Sequence, residues 1–269
     1  MKPGLLAALT LTLALAAPVL ARPLDPRPPP PVPADHAADK AYDPAVMDRA
    51  RAVLRFEHGG MPMSKVMADL FEYQTRAGEA GFRWEGEAWY GGDINRLVMT
   101  SAGDGTPRTG LEAAEVQALY SRAVGPFTDL QGGLRQDFKP GPARTYATVG
   151  FEAVLPYWLR ARGGLYLSTR GDLLGRAEGS YDLRLTQRLI LQPRAELNFA
   201  AQDMPRQDIG QGLSKAEFGL RLRYELRREL APYVGVTYDR AFGHTADLAR
   251  ARGEKTKAAG VVMGVRGWF

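Results

Sequence analysis

The chain has no cysteine among its 269 residues and only three histidines. Without thiols there are no disulfides, so an exported form of this protein is held together some other way, and a closed hydrogen-bonded barrel suffices. Hydrolysis at a barrel normally needs a nucleophile, a histidine base and an orienting group. Here the histidines are His36, His58 and His244, and none falls beside a serine within a strand-like segment, which argues against a barrel hydrolase. Also missing is any apolar run of the length that spans a bilayer as a helix. Basic residues are not blocked together: 35 Lys and Arg are interleaved with 30 Asp and Glu, which argues against nucleic acid as a partner.

The N-terminus sets the compartment. Met1-Lys2 precedes a short apolar core from Leu5 to Leu15, and Val19-Leu20-Ala21 offers a cut ahead of Arg22. Residues 1–21 therefore read as a secretory signal peptide. Residues 22–66 read as an arm. Its first part is crowded with proline from Pro23 to Pro33, which favours extended polyproline II. A short helix is expected over 42–55, with Asp43 as N-cap and Pro44 at the first helical position.

From Met67 onward the apolar residues recur with period two. In the segment 188–200, Leu189, Leu191, Ala195, Leu197 and Phe199 share one face, and Gln192, Arg194, Glu196 and Asn198 the other. Alternation over ten or more positions outruns the strands of soluble sandwiches, which average about 5–6 residues. It suits strands of about 9–11 residues tilted across a bilayer. The last of them closes on Val261, Met263, Val265 and the terminal Phe269, and resembles the C-terminal strand of bacterial outer-membrane barrels.

About twelve such strands fit the pattern, near 67–77, 80–91, 94–102, 112–124, 127–138, 143–155, 158–168, 174–185, 188–200, 214–228, 231–241 and 258–269. The expected fold is all-β: a transmembrane antiparallel barrel over 67–269, behind an arm that is disordered apart from its short helix. Tight connections alternate with mostly longer ones at 103–111, 139–142, 169–173, 201–213 and 242–257, as short periplasmic turns alternate with outer loops. An even strand number leaves both termini in the periplasm. The lipid of the outer membrane is then the partner of one strand face. The other face predicts a polar lumen with Glu85, Glu87, Glu115, Asp129, Arg135, Asp137, Arg184, Arg194, Glu196, Arg221 and Arg223. Paired charges across a narrow lumen stabilise it, and they also offer a path for ions.

One segment stands apart. His58, Met61, Met63 and Met67 fall within ten residues, around Gly59, Gly60 and Pro62. Thioethers are soft ligands suited to Cu(I), and imidazole suits Cu(I) and Cu(II). This composition marks a candidate copper site, with His36 and Met47 as further candidate ligands from the arm. The alternative is that the methionines pack at the barrel mouth and the histidine is solvated. Without cysteine, a blue-copper oxidase centre is excluded.

Several stretches carry a family resemblance: Ala-Trp-Tyr-Gly-Gly-Asp-Ile-Asn over 88–95, Ala-Glu-Val-Gln-Ala-Leu-Tyr-Ser-Arg over 114–122, Gln-Asp-Phe-Lys-Pro-Gly-Pro over 136–142, the segment from Tyr181 to Arg194, and Ala-Pro-Tyr-Val-Gly-Val over 231–236. Over roughly residues 65–269 the chain resembles the bacterial copper resistance protein B family. That resemblance implies an outer-membrane barrel of copper tolerance that binds copper, alongside a periplasmic multicopper oxidase. It also implies an arm of repeated Met and His motifs. This chain keeps His58-Gly-Gly-Met-Pro-Met63 but has a proline tract in place of repeats. The rival readings are a small-ion or small-solute channel with incidental methionines, and a barrel enzyme.

Overall fold

A computed structural model describes residues 36–58, 61–76, 79–139 and 141–269. The expected signal peptide and the proline tract lie outside these residues. The chain divides into two compact units, Met1–Ala52 and Val53–Phe269.

A 3-10 turn at Ala37–Lys40 leads to α1, Pro44–His58, whose residues 44–52 belong to the first unit and 53–58 to the second. The Ala45 N–H donates to the Asp43 carboxylate at 2.8 Å, which caps the helix as the Asp-Pro pair predicts. Arg51 ties back to Asp39 at 2.7 Å. This pairing holds the Asp39 carboxyl below the usual range.

The second unit is one antiparallel sheet closed on itself. Its strands are β1 (Met63–Arg76), β2 (Glu79–Gly91), β3 (Asn95–Thr106), β4 (Gly110–Gly125), β5 (Thr128–Lys139), β6 (Arg144–Leu155), β7 (Leu159–Ser168), β8 (Leu173–Ser180), β9 (Leu183–Arg184), β10 (Leu189–Ala200), β11 (Gly212–Tyr224), β12 (Leu230–Ala241) and β13 (Lys257–Trp268). Sequence neighbours pair around the circle, and β13 pairs with β1 to close it. Both β8 and the two-residue β9 pair with β10, so they form one broken stave and the barrel has twelve. The seam is secured at the chain's end, where Val66 and Phe269 exchange backbone hydrogen bonds of 2.8 and 2.9 Å.

Every second side chain points out, and the outward set is apolar: Leu97 and Met99 on β3, Leu130 and Leu134 on β5, Leu165 and Leu167 on β7, Val234 and Val236 on β12 are all exposed. An apolar belt that encircles the molecule is the lipid-facing surface of an outer-membrane-type barrel. Among the described residues no helix is long and apolar enough to cross a membrane.

Two local departures from the period-two reading have physical causes. β1 starts at Met63 and carries a bulge after Ala68. The bulge switches the inward parity from Lys65, Met67 and Asp69 to Leu70, Glu72 and Gln74, because one extra residue turns the following side chains over. The segment expected as the loop 103–111 is mostly strand, and β3 and β4 turn tightly between Thr106 and Gly110. Gly103 belongs to the ladder there because the Trp84 ring covers it. A Cβ at Gly103 would fall 2.3 Å from that ring.

Candidate functional site

Two ends of the barrel are distinct. The terminal mouth holds Met63, Phe269 and the turns after β2, β4, β6, β9 and β11. The loop mouth holds the connections 201–211 and 242–256, the second of which contains α2 (Gly243–Ala251).

The expected lumen charges meet in one network. Arg135 pairs with Asp137 and with Glu115, each at 2.6 Å. Glu115 is gripped by both guanidinium nitrogens of Arg176 at 2.9 Å. Arg176 lies 3.6 Å from Glu196, and Glu196 lies 3.3 Å from Arg194. Arg194 reaches Glu85 at 2.8 Å and Glu178 at 3.1 Å. Glu85 meets Arg83 at 2.5 Å, and Arg83 meets Glu217 at 2.5 Å. Three of these links join strands that are not neighbours, Glu115–Arg176 (β4 to β8), Arg194–Glu85 (β10 to β2) and Arg83–Glu217 (β2 to β11), so they cross the lumen while the rest run along its wall. Arg135 also stacks over the Tyr166 ring at 4.5 Å, a contact suited to guanidinium.

The network sets six carboxylates (Asp137, Glu115, Glu196, Glu178, Glu85, Glu217) against four guanidinium groups (Arg135, Arg176, Arg194, Arg83). This excess of negative charge favours cations over anions in the lumen. A cavity of about 470 Å³ adjoins it.

The other expected lumen residues are placed as follows. Glu87 meets Arg162 at 3.4 Å. Asp129 lies 3.9 Å from Arg96, away from the network. Arg223 meets Asp182 at 3.1 Å. Arg221 is buried against Glu72. Arg184 departs from the expectation of a lumen residue: its side chain is 62% exposed, with Glu225 at 3.7 Å. The stave breaks between Ser180 and Leu183, so Arg184 sits on a two-residue strand at the mouth instead of inside. Glu72 and Tyr233 escape sequence reasoning. The bulge hides the inward parity of Glu72, and Tyr233 reads as apolar although its hydroxyl donates to Glu72 at 3.0 Å.

The Met/His segment divides in two. His58 is exposed at the end of α1, and Met61 and Met63 are 52% and 60% exposed. Met67 points inward, is 7% exposed and lines the lumen cavity. Its sulfur accepts a contact from Arg266 Nη2 at 3.7 Å, and Arg266 in turn pairs with Asp69 at 2.8 Å. Four residues of strand separate the Cα atoms of Met63 and Met67 by about 13 Å, and strand side chains stand perpendicular to the sheet. The two thioethers are therefore not placed to meet at one point. In the other unit, His36 is exposed ahead of the 3-10 turn and Met47 is half-buried in α1. Among the described residues, no three His, Asp or Glu side chains group as a metal site.

At the loop mouth His244 pairs with Asp203 at 2.8 Å, rather than with Asp247 on its own helix. The Gln211 backbone N–H donates to the same carboxylate at 2.7 Å. That bond, with His244 adding to it, holds the Asp203 carboxyl below the usual range.

Comparison with known proteins follows the same outline. A family model described as copper resistance protein B precursor (CopB) matches residues 62–269. The copper resistance protein B homolog of Pseudomonas syringae pv. tomato is 42% identical over 232 residues, covering 84% of this chain and 79% of the relative. Copper resistance protein B of Escherichia coli is 43% identical over 204 residues, covering 76% and 69%. Among solved structures, the NanC porin superposes with a TM-score of 0.51 at 13% identity, over 75% of this chain and 98% of the porin, a likeness of fold.

Proposed function

The chain belongs to the copper resistance protein B family, and from that premise we propose that it is a non-enzymatic outer-membrane barrel that captures copper at its terminal mouth and passes it into the lumen. Both termini face the periplasm in this reading. The ion is first met by the exposed His58, Met61 and Met63, whose soft donors suit Cu(I). Met67 is the next position. His36 and Met47 are further candidate donors on the arm, and a periplasmic multicopper oxidase is the partner at that side of the membrane.

The observation that carries the proposal is Met67. It is a thioether turned into a charged lumen, on the strand that directly continues the exposed Met/His segment. A lipid-facing role would have placed it on the outward parity, beside Val66 and Ala68. The excess of carboxylate in the lumen supports a cation as cargo. Against the small-solute channel stand the guanidinium–carboxylate links that cross the lumen and narrow it, as long side chains do in narrow barrels.

The test is a competitive Cu(I) titration of the purified protein. His58→Ala, Met61→Ala, Met63→Ala and Met67→Ala combined should lower the copper stoichiometry. An unchanged stoichiometry in the fourfold variant removes the proposed site.

A further inference from the structure

The loop mouth is roofed. Two long connections meet there, and three contacts join them. Asp203 pairs with His244 at 2.8 Å, the Gly210 N–H donates to Thr245 Oγ1 at 2.8 Å, and Asp208 pairs with Arg252. Gly210 is buried so closely under α2 that a Cβ on it would fall 2.4 Å from the Thr245 nitrogen. Met204 in the first connection and Ala246 and Ala249 in the second are buried.

The connection 201–211 also reaches sideways. A Cβ on Gly141, in the turn between β5 and β6, would lie 3.4 Å from the Arg206 carbonyl oxygen. In the circle of strands the β7–β8 hairpin stands between that turn and the β10–β11 connection. The loop therefore arches over the opening. Its inner surface, with Gln207, Asp208 and Ile209, and Thr245 of α2, lines the same cavity as Glu196, Glu217 and Arg83. Gln207 is 7% exposed, and neither end of its amide has a hydrogen-bond partner in the protein. A buried amide without a protein partner makes the closed position costly to hold, which fits an element that moves or meets a polar cargo better than one that only packs.

We propose that residues 201–211 are a lid over the loop mouth, latched onto α2 by the Asp203–His244, Asp208–Arg252 and Gly210–Thr245 contacts, so that the lumen opens at that end only when the latch releases. The proposal stands apart from the copper reading, since it concerns access and not the nature of the cargo.

Because the chain lacks cysteine, Ser214→Cys places a single thiol beneath the lid, at a buried position that lines the cavity. Labelling of the purified full chain in detergent by a bulky, charged maleimide reads access to it. Leu97→Cys on the outer face serves as the reference. With the latch intact, Ser214→Cys should label slowly. Adding Asp203→Asn and Asp208→Asn should speed labelling by about tenfold or more, as expected when local opening sets the rate. Replacing 203–210 with a short Gly-Ser turn should do the same, and heat-shifted migration of the folded barrel in gels checks that this variant folds. If it does not fold, the point variants decide. Labelling as fast with the latch intact as with it broken overturns the lid, and so does slow labelling in every folded variant.

Discussion

Glu72 and Arg221 stand 149 residues apart in the chain and form the most deeply buried ion pair described, with Arg221 Nη2 3.0 Å from Glu72 Oε1 and side chains 0% and 2% exposed. Arg221 Nε and the Tyr233 hydroxyl both donate to the second carboxylate oxygen, at 3.1 and 3.0 Å. The pair joins β1 to β11 across β12 and β13. A charge left alone at such a site is strongly penalised, whereas replacing both partners with apolar groups can be nearly neutral. Glu72→Ala should therefore cost about 3–5 kcal/mol of barrel stability. Glu72→Leu with Arg221→Met should recover most of it, measured by urea unfolding in detergent. Equal losses in the single and double variants would show that the pair contributes nothing specific.

The lumen network makes a separate prediction about conduction. Arg83 and Arg194 each bridge to a carboxylate on a strand that is not their neighbour. Truncating both, Arg83→Ala with Arg194→Ala, removes two of the three links across the lumen and increases the negative excess. In planar bilayers the variant should show larger and more cation-selective conductance than the wild type. A wild type that already conducts like an open porin would favour the small-solute channel.

Much of this was legible in the sequence. The alternation at Leu189–Ala200 and in the closing strand placed the staves to within a few residues, because lipid outside and charge inside write a period of two. Arg135, Asp137, Glu115, Arg194 and Glu196 were found as lumen groups by the same parity. Glu72 was not, because a bulge is one unpaired residue with no compositional mark, and it reverses the parity of everything beyond it in β1. Arg184 was misplaced because a strand's last two residues look the same in sequence whether the stave continues or breaks. The junction of Asp203 with His244 was out of reach, since the two residues belong to separate loops and no periodicity links loops.

On the proposed copper reading, Met67 and Arg266 set the affinity together. The Arg266 guanidinium, 3.7 Å from the Met67 sulfur, repels a cation bound there and is itself drawn toward Asp69. Two unit charges at about 4 Å in a watery lumen interact by about 1 kcal/mol. Arg266→Gln should therefore tighten Cu(I) binding about fivefold, while Met67→Ala weakens it, in the same competitive titration. Weaker binding in Arg266→Gln would mean that the arginine serves to position Met67 instead.

The lid should loosen in acid. Asp203 is held below the usual carboxylate range first by the Gln211 N–H and then by His244. A lowered folded-state pKa contributes stability above the unfolded value of about 3.9 and loses it as pH falls through the folded value. The other charged groups of the two loops, Asp208 with Arg252 and Glu254, and Asp247 with Arg250, face one another and remain in place in the comparison. Pepsin nicking within 201–211 should rise as pH falls from about 4 toward about 2. Asp203→Asn should be nicked readily at about pH 4 and respond less to further acid. Identical pH profiles for the two proteins would exclude Asp203 as the acid-sensitive part of the latch.

The most direct test of copper capture is anomalous diffraction at the copper edge, on crystals of the full chain soaked in Cu(I) under reducing conditions. The expected result is a peak at the Met67 sulfur on the lumen wall, with a second at the His58, Met61 and Met63 segment. Peaks confined to surface sites away from every one of these four side chains would contradict it.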